Sequence, residues 1–94
     1  MKVCVQYTAQ MRAITGTSEE PIELPSGSSL ATLLSSLAKR WGNEGAAHLV
    51  AENGQPLRSL LVVVNDSAIA SADIEKAILR DNDIITFYPP IAGG

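Results

Sequence analysis

Six apolar residues, Leu30, Leu33, Leu34, Leu37, Ala38 and Trp41, recur at i, i+3, i+4, i+7, i+8 and i+11, the stripe of a helix with one buried face. Ser28 or Ser29 is placed to cap its free N–H groups, Lys39 and Arg40 fall where the helix dipole favours cations, and Gly42 supplies a left-handed stop. This is the clearest helix in the sequence, and its stripe has to be covered by something else. The other strong apolar runs are strand-like, so the covering element is a sheet. With 94 residues, 46% of them hydrophobic, there is material for one domain with one core and not for two.

The strands can be read in turn. Val3, Val5 and Tyr7 alternate with Lys2, Cys4 and Gln6, as in a strand with one buried face. A linking stretch with Met11, Ile14 and Gly16 leads to Glu20-Pro21-Ile22-Glu23-Leu24, where Pro21 suits an edge or a strand start because it cannot donate to a ladder. That strand ends at Pro25-Ser26-Gly27. Between 43 and 59 the pattern weakens, although so long a structureless connection is unusual in a small domain. Asn53-Gly54 is a turn dipeptide between Leu49-Val50-Ala51 and the apolar run that follows, so a short strand or helical turn is expected before it.

Leu60-Leu61-Val62-Val63-Val64 is continuously apolar, which predicts an interior strand with both faces covered. Asn65-Asp66 turns the chain, Ala68-Ile69-Ala70 forms a short strand, and Ile74, Ala77 and Ile78 suggest one or two helical turns after Ser71 or Asp73. A turn over Arg80-Asp81-Asn82-Asp83 precedes the last strand, Ile84-Ile85-Thr86-Phe87-Tyr88, which Pro89-Pro90 ends by withholding two N–H groups. The expected architecture is an α+β two-layer domain over 1–88, with 89–94 as an extended tail.

Several kinds of chemistry are excluded. The net charge is −3, so no basic surface exists to displace counterions from a nucleic acid. No apolar run approaches the roughly 20 residues that span a bilayer, and no leader pattern opens the chain, so a cytoplasmic, soluble protein is expected. Cys4 is the only cysteine and His48 the only histidine, which leaves neither an internal disulfide nor a zinc ligand set. His48 reads as a solvated loop residue and Cys4 as a small strand residue rather than a base and a nucleophile. Asp66, Asp73, Asp81 and Asp83 lack the central Gly and terminal Glu of a calcium loop and are accounted for by turn chemistry. Gly16, Gly27 and Gly42 are isolated and open no phosphate loop with its lysine.

What remains is the ending, Pro89-Pro90-Ile91-Ala92-Gly93-Gly94. At ordinary glycine usage, two terminal glycines occur by chance roughly one time in two hundred. Six extended residues reach about 20 Å, enough to enter the active site of another protein. Pro89 and Pro90 limit the conformations lost on docking, and Gly93 and Gly94 let a narrow channel close around bare backbone. The reactive group is then the carboxylate of Gly94. A carboxylate is a poor acyl donor and nothing in this chain can activate it, so the implied partner is an ATP-using adenylating enzyme.

These segments resemble the β-grasp, ubiquitin-like sulfur carriers, and within them the small subunit of molybdopterin synthase. The likeness covers nearly the whole chain: Val3 to Ala9 with Met11-Arg12 and Ile14-Thr15-Gly16 is similar to the first strand and loop of the family. Leu24-Pro25-Ser26-Gly27 and the leucine stripe resemble its second strand and main helix, and Val62-Val63-Val64-Asn65 a strand ending in Val-Asn. Leu79 to Tyr88 resembles its closing turn and strand, and Phe87-Tyr88-Pro89-Pro90-Ile91-Ala92-Gly93-Gly94 is the most specific piece.

The resemblance implies a mixed sheet of four to five strands covered by one main helix. It also implies a non-catalytic carrier with no bound cofactor. Gly94 is adenylated by an E1-like enzyme that uses ATP and becomes a thiocarboxylate with sulfur from a sulfurtransferase. Its tail, Pro89, Pro90, Ile91, Ala92 and Gly93, then enters the large subunit of molybdopterin synthase, where the activity resides. The sheet face away from the main helix is the expected docking surface. Two departures stand out: Asn82 replaces the usual Gly of an Asp-Gly-Asp turn, and the 43–58 segment is longer than in compact synthase subunits. The second is a feature of carriers that serve other sulfur pathways, thiamine or cysteine synthesis, and a ubiquitin-like protein modifier is the third reading.

Overall fold

The computed structural model describes residues 1–47, 49–51, 55, 57 and 60–88. The first and last strand-like runs become β1, Lys2–Tyr7, and β5, Ile84–Tyr88, which lie side by side and parallel in the middle of the sheet. β2, Glu19–Glu23, pairs antiparallel with β1 and forms one edge, where Pro21 is placed without cost to an inner ladder. On the other side β3, Leu61–Val64, pairs antiparallel with β5, and β4, Ser67–Ile69, closes the second edge. The order is β2-β1-β5-β3-β4, a five-stranded mixed sheet.

One face of that sheet is covered by α2, Leu30–Arg40. Its buried side chains are Leu30, Leu33, Leu34 and Leu37, the first four positions of the stripe. They pack in one cluster with Val3, Val5 and Tyr7 of β1, Ile85 and Phe87 of β5, and Val62 of β3. Burying each such leucine contributes about 2 kcal/mol. Ser29 is the cap, its hydroxyl accepting from the Thr32 N–H at 3.1 Å. Gly42 is left-handed at φ 68, and the chain turns there directly into a further helix, α3, Gly42–Ala47.

The helix α3 was not expected from the sequence; the ordered piece expected at Leu49-Val50-Ala51 appears as paired backbone, while Asn53-Gly54 and His48 lie outside the described residues. Around them the Ala51 N–H donates to the Gln55 carbonyl at 2.8 Å and the Leu57 N–H to the Leu49 carbonyl at 3.0 Å, so the segment doubles back on itself. Leu49 is fully buried, which anchors the long connection to the core.

Two expectations are corrected. The stretch after β1, read as a link or loop, is a helix, α1, Ala9–Thr15, whose Met11 is completely buried. It ends on Gly16, left-handed at φ 75, whose N–H donates to the Arg12 carbonyl at 3.0 Å. β3 lies inside the sheet as expected, yet only one of its faces is covered, since Leu61 is 47% exposed beside buried Val62.

The turns follow their residue chemistry. Asn65 and Asp66, at φ 48 and 74, form a two-residue hairpin between β3 and β4, and both residue types tolerate that region. Asn82, at φ 71, takes the left-handed position for which glycine is the usual choice. Asp81 accepts from the Lys2 N–H at 2.7 Å, and Asp83 from the Arg80 N–H at 2.8 Å and from the Asn65 amide at 2.7 Å. A single 3₁₀ turn, Ser71–Asp73, precedes buried Ile74.

A polar cluster ties the end of α2 to β1 and β2. The Tyr7 hydroxyl donates to Glu20 at 2.6 Å and accepts from the Trp41 indole N–H at 3.3 Å. Arg40 pairs with Glu20 at 3.1 Å, and its guanidinium lies 5.1 Å from the Trp41 ring centre. Burial first, and then the bond to Glu20, push the Tyr7 phenol far above its ordinary value, against smaller opposing effects of Trp41 and Arg40. Because the folded value is raised, the stabilisation is complete below the unfolded value of about 10 and is lost as pH rises beyond it. Urea midpoints are therefore expected to fall above about pH 10. Tyr7→Phe should flatten that fall while costing about 1 kcal/mol at neutral pH, and an unchanged alkaline slope would contradict the assignment.

Candidate docking face and tail exit

The covered and open faces of the sheet follow from the period-two alternation of its strands. On β5, Ile85 and Phe87 point into the core, so Ile84, Thr86 and Tyr88 point the other way. The register places Leu61 opposite Tyr88 and Val63 opposite Thr86. On the β1 side Cys4 stands opposite Ile84 and Gln6 opposite Thr86. Leu61, Ile84 and Tyr88, each more than two-fifths exposed, therefore share one face with half-buried Val63.

The centre of this face is polar but internally satisfied, because the Thr86 hydroxyl donates to the Gln6 amide oxygen at 2.9 Å. A shallow depression of about 330 Å³ runs between Gln6, Val63, Ile84, Thr86 and Tyr88. Asn65 and Asp66 close the end remote from Tyr88. An exposed apolar set on one face of a small domain is the kind of surface that a protein partner covers. It also explains why β3 is apolar throughout although the helices cover only one of its sides.

Cys4 lies on this face but is not primed for chemistry. Partial burial and then the carboxylate of Glu19, which its thiol approaches at 3.8 Å, raise its pKa and hold it as the thiol. Asp83 accepts from the Arg80 N–H of its own turn and from the Asn65 amide of the β3–β4 hairpin, and Asp81 accepts from the Lys2 N–H of β1, so both carboxylates are engaged within the fold. Among the described residues no three His, Cys, Asp or Glu side chains are grouped to hold a metal ion, and no helix is long and apolar enough to cross a membrane.

The tail is placed by β5. Because β5 is the central strand, residue 88 delivers the chain to the end of the sheet beside the open face. Two neighbours hold that end: Leu61 of β3 pairs with Tyr88, and the Thr8 hydroxyl donates to the Phe87 carbonyl at 2.8 Å. Pro89, Pro90, Ile91, Ala92, Gly93 and Gly94 lie outside the described residues. The structure thus brings together the docking face and the exit point of the tail, but not the tail itself. Thr8 was missed in the sequence because its role depends on a strand 79 positions away.

Comparison with known proteins adds a family. The model of the ThiS family matches residues 5–94. Among curated proteins none matches. Of the solved structures, SAMP1 from Haloferax volcanii is similar with a TM-score of 0.82 at 15% identity, all of both chains being covered. A Pyrococcus furiosus protein assigned as subunit 1 of molybdopterin converting factor is 28% identical, with a TM-score of 0.70 over 97% of this chain and 99% of the other. A chain of the BexX/CysO complex from Amycolatopsis orientalis is 26% identical, also at 0.70, over 98% and 99%. The five-stranded sheet under one main helix is the β-grasp fold of these neighbours.

Proposed function

The chain belongs to the ThiS family of β-grasp sulfur carriers, and from that premise we propose that it delivers sulfur as the thiocarboxylate of Gly94, serving molybdopterin synthesis as the small subunit of the synthase. The observation that carries this reading is the course of β5, which ends beside an exposed apolar face and continues in sequence as Pro-Pro-Ile-Ala-Gly-Gly.

In the proposed cycle the Gly94 carboxylate attacks the α-phosphate of ATP on an E1-like enzyme, and pyrophosphate leaves. The terminal sulfur of a sulfurtransferase persulfide then displaces AMP to give an acyl disulfide, and a further thiol cleaves its S–S bond, leaving the thiocarboxylate and a disulfide between the two thiol groups. The charged tail, with Gly93 and Gly94 at its narrow tip, enters the large subunit, where the sulfur passes to a pterin precursor and the carboxylate is regenerated. Leu61, Val63, Ile84 and Tyr88 seat against the partner and set how far the tail reaches. In this reading catalysis belongs to the partners.

A second pathway is favoured by a specific feature. The connection from α2 to β3 holds α3 and a doubled-back segment anchored by Leu49, more than a compact synthase subunit needs. The likeness to a chain of the BexX/CysO complex also admits a partner other than the large molybdopterin synthase subunit, and the reading it leaves room for is sulfur delivery to thiamine or cysteine synthesis. Reconstitution separates the two. Charged carrier mixed with the large molybdopterin synthase subunit and its pterin precursor is expected to yield the dithiolene product. Failure there, with sulfide transfer to an amino-acid or thiazole synthase instead, would move the chain to the second pathway.

A further inference from the structure

We propose that Thr8 is a positioning residue for the reactive terminus, its hydroxyl setting the direction in which the tail leaves the sheet; the inference rests on the carrier reading of Gly94. Thr8 occupies the N-cap of α1 with an extended backbone, φ −127 and ψ 163. A threonine there ordinarily accepts a hydrogen bond from an N–H of the first helical turn. This one makes no such bond. Its hydroxyl is turned instead to the Phe87 carbonyl, 2.8 Å away on the strand that carries the tail.

The placement matters because of where β1 stops. Tyr7 opposite Phe87 is the last pair between β1 and β5, and beyond it the chain turns into α1. The Thr8 hydroxyl thus holds β5 at the point where the β1 ladder ends, opposite the side on which Leu61 pairs with Tyr88. The carbonyl it binds belongs to the planar peptide unit that joins Phe87 to Tyr88. Fixing that plane fixes the direction in which the chain passes from Phe87 into Tyr88. Misplacement by about 1 Å is enough to cost a positioned reaction a hundredfold, so even a fraction of that displacement at the reacting carboxylate would be read in the rate. A local helix rule is set aside at the one place where the chain leaves the fold for its chemistry.

The test uses the adenylating enzyme, ATP and full-length carrier in a pyrophosphate-exchange assay, with thermal unfolding run alongside. Thr8→Val keeps the shape and removes the hydroxyl; Thr8→Ser keeps the hydroxyl. Thr8→Val is expected to lower kcat about tenfold with KM nearly unchanged, because the docking face is untouched. Thr8→Ser should restore the wild-type rate, and Thr8→Ala should behave as Thr8→Val. A Thr8→Val carrier adenylated at the wild-type rate would overturn the inference while leaving the carrier reading intact. So would a Thr8→Ser carrier as slow as Thr8→Val, or a loss confined to KM. If the wild-type protein is itself not adenylated, the carrier reading fails and the inference falls with it.

Discussion

One residue added after Gly94 is expected to reduce thiocarboxylate formation at least a hundredfold while leaving the unfolding temperature unchanged. An extra residue moves the carboxylate by about 3.5 Å along an extended chain, and misplacement by about 1 Å is enough to cost a hundredfold in a positioned reaction. The fold should not register the change, because the described core closes at Phe87 and Tyr88 is already at the surface. Rates of charging by the adenylating enzyme, measured on native and extended chains of equal thermal stability, check this. An extended chain charged at the native rate would mean that Gly94 is not the acceptor.

Leu61→Glu should weaken association with the partner at least tenfold without unfolding the carrier. Leu61 is nearly half exposed and faces Tyr88 across the ladder, so its replacement changes stability by about 1 kcal/mol at most. In a closed interface the new carboxylate would lose its water beside Ile84 and Tyr88 without a cation to replace it, a cost of about 2 kcal/mol or more. Calorimetric titration against the adenylating enzyme or the large subunit reads the loss directly. Unchanged affinity would place the docking surface elsewhere, and the exposed apolar residues of β3 and β5 would then lack a partner.

The sequence was informative where one physical effect dominated. Four leucines at helical spacing, a serine cap and a glycine stop all described α2, and α2 spans Leu30–Arg40 with those features in place. β1 and β5 were equally legible, since each alternates or presents an unbroken β-branched and aromatic run between turn residues. α1 was not, because seven residues offer only Met11 and Ile14 as a pattern, and its capping threonine looks across the sheet rather than along the helix. The pair at i, i+3 followed by Gly16 was the available signal.

β3 illustrates a different limit. A continuous apolar run is the pattern of a strand covered on both faces, but the run alone does not say whether each face is covered. Val62 packs beneath α2 within the chain, whereas Leu61 and Val63 share the open face. Reading the run as covered on both faces was therefore wrong for the Leu61 side of the strand. The site divides in the same way: the open face was expected from the sequence but which residues share it needed the strand register, while the reactive end stood out in the sequence as an unusual run of small residues after two prolines.

Intact-mass measurement after incubation with the adenylating enzyme, ATP and a sulfur donor tests the central claim most directly. The account predicts a gain matching exchange of one oxygen for sulfur, with fragmentation locating it on Gly94 and none on Cys4. ATP consumption with no such gain, or sulfur found on Cys4 alone, would contradict it.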